Sequence, residues 1–207
     1  MRSMTRSVVG LVRQLGLRCV TVAGVLALAA ACGGQATTQT TTTERKANAS
    51  ARALSPATLK PGQPVPSPAG KPVFTMTGKI SAENQTGGLA FDLPTVERFA
   101  LYEVTLYEPW TKQNTTFRGV WLQDLLAVAG VDADATRLHF VALDDYTVDL
   151  TMADIRAGGI MLATRAGDGS ALPVDKGGPT RIVFLNGVKA GANADQWIWS
   201  IKAIDVQ

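Results

Sequence analysis

Asp175-Lys176-Gly177-Gly178-Pro179-Thr180-Arg181-Ile182-Val183-Phe184 is the stretch from which the rest of the chain is best read. Two glycines and a proline predict a tight loop, and the β-branched run after them predicts a buried strand. Lys176 and Arg181 bracket the loop with positive charge. Backbone N–H groups around paired glycines, flanked by cations, are one way to hold an anion such as a phosphate. The plainer expectation for the same residues is a turn between two strands.

Working outward, charge divides the 207 residues unevenly. Residues 1–72 hold nine Lys/Arg against one acid, Glu44, whereas residues 73–207 hold eleven Lys/Arg against sixteen acids. An acidic domain with dispersed bases lacks the electrostatic footprint of a nucleic-acid binder, so no nucleic-acid partner is expected. The basic excess belongs to the N-terminus. Arg2, Arg6, Arg13 and Arg18 precede the apolar run Cys19 to Ala31, too short for a comfortable permanent span and typical of a secretion signal over residues 1–31. The run ends at Leu28-Ala29-Ala30-Ala31-Cys32-Gly33, which resembles a bacterial lipobox and makes Cys32 the expected lipidation site. A soluble secreted protein cut at the Ala-rich site is the alternative. The expected location is the bacterial cell envelope, beyond the membrane and lipid-anchored to it.

Residues 32–72 read as the lipidated cysteine and a disordered tether. Threonine fills residues 37–43 almost entirely, and six prolines fall between Pro56 and Pro72. Such composition predicts an extended, solvated chain. The folded domain is then expected over residues 73–207. Alternation predicts strands over residues 73–80 and 101–107. Asp92 is placed to cap a short helix over residues 94–99, with Pro94 in its first turn. Trp121, Leu122, Leu125, Leu126 and Ala129 fall at helical spacing, predicting a helix over residues 119–129 stopped by Gly130. Further strands are expected at 138–143, 146–150 and 160–163, with Thr151 capping a helical turn that ends at Gly158-Gly159. A last strand is expected over 197–204, with Trp197 and Trp199 on one face. The fold class is α+β: mixed sheets around a barrel-like core with a few short helices.

The inventory for chemistry is short. The sequence has one histidine, His139, and two cysteines, Cys19 and Cys32, neither within residues 73–207. Zinc, haem and iron–sulfur sites therefore lack a ligand set, and no metal site is expected. His139 lies in an apolar strand and reads as structural. Asp144, Asp145 and Asp149 read as a solvated hairpin rather than a cation loop. No nucleophile elbow, P-loop or dinucleotide fingerprint is present. Trp110 follows Pro109 in a polar turn, which makes it a candidate for a pocket mouth, although packing at the rim explains it as well.

In order along the chain, the motifs resemble the sulfite-oxidase type of oxidoreductase molybdopterin-binding domain. They are Glu108-Pro109-Trp110-Thr111, the segment Phe117-Arg118-Gly119-Val120-Trp121-Leu122-Gln123-Asp124-Leu125-Leu126, Ala142-Leu143-Asp144-Asp145-Tyr146, the hairpin from Ala163 to Pro173, the opening loop, and the closing Trp197-to-Ile204 segment. The resemblance implies a pterin-type pocket among Trp110, Asp144, Asp145, Tyr146, Lys176, Gly177, Arg181 and Gln196, with Arg181 and Lys176 on the phosphate side. It also implies a molybdenum-ligating cysteine a few residues before Trp110, and residues 102–109 contain none. Lys176 stands where the family has histidine, and Gln196 where it has lysine. The short envelope proteins of the family share this cysteine-less pattern.

Together these features lead to an expected ligand-binding or accessory module that has lost molybdenum redox catalysis. No resident cofactor is expected; molybdopterin is the one that the resemblance implies. The expected partners are a membrane, through the anchor, and a small anionic or pterin-like ligand. Two readings stay open beside this one: an active molybdopterin-dependent oxidoreductase, and a protein-interaction domain without a small ligand.

Overall fold

Alternation of apolar and polar residues builds the sheets. In β2 (Phe74–Gly78), Phe74 and Met76 are buried while Thr75 and Thr77 between them are not. In β4 (Leu101–Glu108), Val104, Leu106 and Glu108 face inward and Thr105 and Tyr107 face out. Period two puts every second side chain on one face, and that face must find a second layer. The computed structural model describes residues 51–207. Over these residues the protein is α+β, with two five-stranded sheets, three short helices and one buried apolar core shared between them.

The first sheet runs in the order β1 (Arg52–Ser55), β4, β5 (Gln113–Trp121), β8 (Ile160–Ala166), β9 (Arg181–Phe184), every neighbouring pair antiparallel. The second runs β3 (Leu89–Phe91), β2, β10 (Ile201–Val206), β6 (Arg137–Ala142), β7 (Thr147–Thr151), with β2 and β10 parallel. Helix α1 (Leu93–Val96) starts at Asp92, whose carboxylate accepts from the Thr95 N–H, as its position predicts. Helix α2 (Leu122–Ala129) ends at Gly130 in the left-handed conformation. Helix α3 (Met152–Ala157) is capped by Thr151. No helix of the described residues is long and apolar enough to cross a membrane. His139, in β6, sits 2.7 Å from Asp149 on the paired strand β7.

Three expectations need correction. The tether expected through residue 72 does not extend that far: residues 51–72 lie on the domain. β1 pairs with β4, Leu59 and Val65 are buried, and the N–H groups of Thr58 and Leu59 donate to the Arg98 carbonyl. The two buried apolar side chains and the paired backbone contribute against the ordering cost that the proline-rich composition suggested would go unmet. Residues 32–50, with Cys32 and the signal at residues 1–31, lie outside the described residues.

The helix expected from residue 119 starts at Leu122. Gly119, Val120 and Trp121 complete β5 instead, and a Cβ on Gly119 would stand 2.2 Å from the Leu162 carbonyl oxygen of the next strand. Trp121 is buried as expected, but from a strand end. The last strand also begins later than expected. Residues 197–200 are irregular because the Ser200 N–H turns to the Gly177 carbonyl and the Ile198 carbonyl to the Ile182 N–H. Trp197 and Trp199 therefore share no strand face.

Candidate functional site

The glycine-proline loop is built for close packing. Lys176 and Gly178 both donate their N–H groups to the Pro173 carbonyl, and Gly177 donates to that of Val174. These donors are consumed within the loop, so these three N–H groups make the turn between strands rather than an anion cradle. The glycines have steric reasons. Gly177 has φ +84°, and a Cβ there would stand 2.8 Å from the Trp199 ring. A Cβ on Gly178 would stand 1.7 Å from the Leu172 carbonyl oxygen.

Arg181, expected to face a phosphate, is committed elsewhere. Its Nη2 donates to Glu108 Oε1 at 2.7 Å, and its Nη1 to the Lys176 carbonyl at 3.3 Å. The guanidinium carbon lies 4.3 Å from the Trp199 ring centroid and 5.2 Å from that of Phe117. Glu108 Oε2 accepts the Thr111 N–H at 2.6 Å. Burial pushes the Glu108 pKa up, but the Thr111 hydrogen bonds and Arg181 outweigh it and hold the carboxyl below its ordinary value. Burial lowers the Arg181 pKa, with Glu108 opposing. The pair is an internal ion pair shielded by two aromatic rings.

In front of Trp199 the chain forms an aromatic cleft of 310 Å³, lined by Trp110, Ala142, Asp144, Tyr146, Trp197, Ile198 and Trp199. The β4–β5 turn supplies Trp110, 52% exposed, and the β6–β7 turn supplies Tyr146, 47% exposed. Tyr146 is braced by donating its hydroxyl to the Asp195 carbonyl at 2.9 Å. Asp144 Oδ1 accepts the Tyr146 N–H at 3.2 Å. Trp197 forms part of the floor, 5.4 Å from the Phe184 ring, its Nε1 donating to the Gly191 carbonyl.

The expected site residues thus separate. Trp110, Asp144 and Tyr146 line one cleft, while Gly177 and Arg181 support its Trp199 from behind. Asp145 pairs with Lys202, and Lys176 is exposed and does not line the cleft. Gln196 lines a different recess with Asp149, Lys189 and Asn193. Glu108 was not anticipated as a site residue, although it continues the inward phase of Val104 and Leu106 in β4. Trp197, Ile198 and Trp199 join the cleft through contacts distant in sequence, which no local pattern carries, whereas Ala142 belongs to the same motif as Asp144 and Tyr146.

The fold has solved counterparts. The crystal structure of the sulfane dehydrogenase SoxCD from Paracoccus pantotrophus aligns with a TM-score of 0.51 and 21% identity, over 64% of this chain and 37% of that chain. The likeness is one of fold, and the alignment spans well under half of the SoxCD chain. A search of curated proteins gives no match. The family model for the oxidoreductase molybdopterin binding domain matches residues 96–207, more than half of the chain, and includes every residue of the cleft and of the buried ion pair. This chain therefore belongs to the oxidoreductase molybdopterin-binding domain family.

Proposed function

We propose that the protein is a lipid-anchored envelope module that uses this family's fold to bind a ligand, or to serve a partner, without molybdenum catalysis. The observation that carries the reading is the fate of Arg181. The residue expected to meet a phosphate is instead neutralised at 2.7 Å by Glu108.

The residues present do not fit a molybdenum-bearing pterin. Residues 51–207 contain no cysteine, so no thiolate is available to the metal from the domain. Among the described residues no three His, Cys, Asp or Glu side chains gather into a ligand set. The N–H groups of Lys176, Gly177 and Gly178 and both terminal nitrogens of Arg181 are engaged internally, while Arg181 Nε is buried without a partner. What remains is an aromatic-walled cleft, which can take up an apolar or planar group by stacking and exclusion of water. The protein thiolate that the resemblance implies for the metal is what this domain does not supply.

The test is the composition of full-length protein purified from a host that synthesises the cofactor. Elemental analysis for molybdenum and fluorescence of oxidised pterins should both find far less than one equivalent. Stoichiometric metal and pterin would overturn the reading in favour of an oxidoreductase. The anchor is tested separately: Cys32→Ser should move the protein out of the membrane fraction and abolish labelling by a radioactive fatty acid.

A further inference from the structure

The charge at the cleft is negative. Asp144 is the single charged side chain among the lining residues, and the rest of the wall is aromatic or aliphatic. One of its oxygens takes the Tyr146 N–H, and the other has no hydrogen-bond partner among the described residues. Lys202 pairs with Asp145 and Arg181 with Glu108, and the exposed Lys112 and Lys176 are not among the lining residues. Among the residues that line the cleft, an anion would meet a carboxylate and no cation. A sugar needs several hydrogen-bonding groups, yet the Trp197 indole N–H is used by Gly191 and that of Trp199 is sealed from solvent without a partner.

Aromatic faces carry negative electrostatic potential, and several of them beside a carboxylate make a site for an ammonium ion with apolar substituents. The half-exposed Trp110 and Tyr146 offer that surface, with Trp199 and the buried floor behind them. At 310 Å³ the cleft lies at the small end of ligand sites, which run from about 300 to 1,000 Å³. We propose that the cleft binds a small organic cation, an alkylated ammonium group held between Trp110, Tyr146 and Trp199 and neutralised by Asp144. The proposal rests on the ligand-binding reading above and assigns the class of ligand, an organic cation rather than the anionic or pterin-like one expected from sequence.

Three probes of one shape test it on the full-length protein: choline, its neutral carbon isostere 3,3-dimethylbutanol, and the anion 3,3-dimethylbutanoate. Tryptophan fluorescence and calorimetry read the binding. Choline should saturate, with the isostere about tenfold weaker and the anion weaker still. Asp144→Asn should weaken choline about fivefold and leave the isostere unchanged. Trp110→Ala should weaken choline about tenfold, and Trp110→Phe should restore most of it. Both positions are exposed, so an unchanged melting temperature should accompany each loss. Equal binding of choline and its isostere, preference for the anion, or no saturation by choline would each overturn the proposal. Preference for the anion or isostere would spare the ligand-binding reading, whose claim about catalysis is judged by the molybdenum and pterin content.

Discussion

Glu108 and Arg181 meet at 2.7 Å inside the domain, their side chains 1% and 4% exposed. β4 and β9 are separated in their sheet by β5 and β8, so the pair reaches across the sheet face, with Phe117 of β5 beside the guanidinium. An ion pair this dry contributes by being complete. Either partner alone would be an uncompensated charge.

Glu108→Gln should therefore destabilise the protein by about 3–5 kcal/mol in urea denaturation. Replacing both partners with apolar residues, Glu108→Leu with Arg181→Met, should recover most of that loss. A double variant no more stable than Glu108→Gln alone would show that the pair contributes little beyond packing.

The same carboxylate gives a pH dependence with a definite sign. Its folded pKa lies below the ordinary value of 4.5, so its stabilisation is present above about pH 4.5 and is lost as pH falls through the folded value. Asp92 shifts the same way, chiefly through its hydrogen bond to Thr95, from an ordinary 3.8. Melting temperature should fall as pH drops below about 4.5, and less steeply in Glu108→Gln. An unchanged slope in that variant would remove Glu108 from the account.

Asp92 joins the N-terminal segment to the domain. One oxygen accepts from Thr95 at 2.9 Å, capping α1, and the other accepts from Ala69 at 2.9 Å and Gly70 at 3.0 Å. Asp92→Ala should cost about 2–4 kcal/mol, combining a lost cap with two charge-assisted hydrogen bonds. Hydrogen exchange should quicken over residues 52–70 more than in β10. Uniform change across the domain would contradict the local role.

Gly178→Ala should destabilise by about 1–3 kcal/mol, because the new Cβ would meet the Leu172 carbonyl oxygen at 1.7 Å and the backbone must move. Gly70→Ala is the control: its Cβ meets only Asp92 Oδ2, at 3.8 Å, and should change stability by under about 0.5 kcal/mol. Equal thermal midpoints for the two variants would argue that the loop backbone yields freely.

Local physics made much of this fold legible. Period-two alternation placed β2 and most of β4, the Asp92 and Thr151 side chains marked helix starts, and Gly130 marked a helix end. Each is a property of a few consecutive residues. Gly119 misled because its place in β5 is set by contact with Leu162 on β8, outside any local window. Residues 51–72 misled because composition averages away the two side chains, Leu59 and Val65, that find burial.

The sequence by itself determined the α+β class, the order of the family's motifs and the absence of a domain cysteine, since these depend on residue identity and spacing alone. It also singled out Asp175 to Phe184, where Lys176 and Arg181 resembled an anion site. Only the tertiary structure decided where that charge goes. Arg181 and Glu108 are 73 residues apart, and their contact lowers the energy of both only once the sheet brings them together in a dry interior. The same long-range packing sets Trp199 over the guanidinium and leaves Asp144 facing an aromatic cleft.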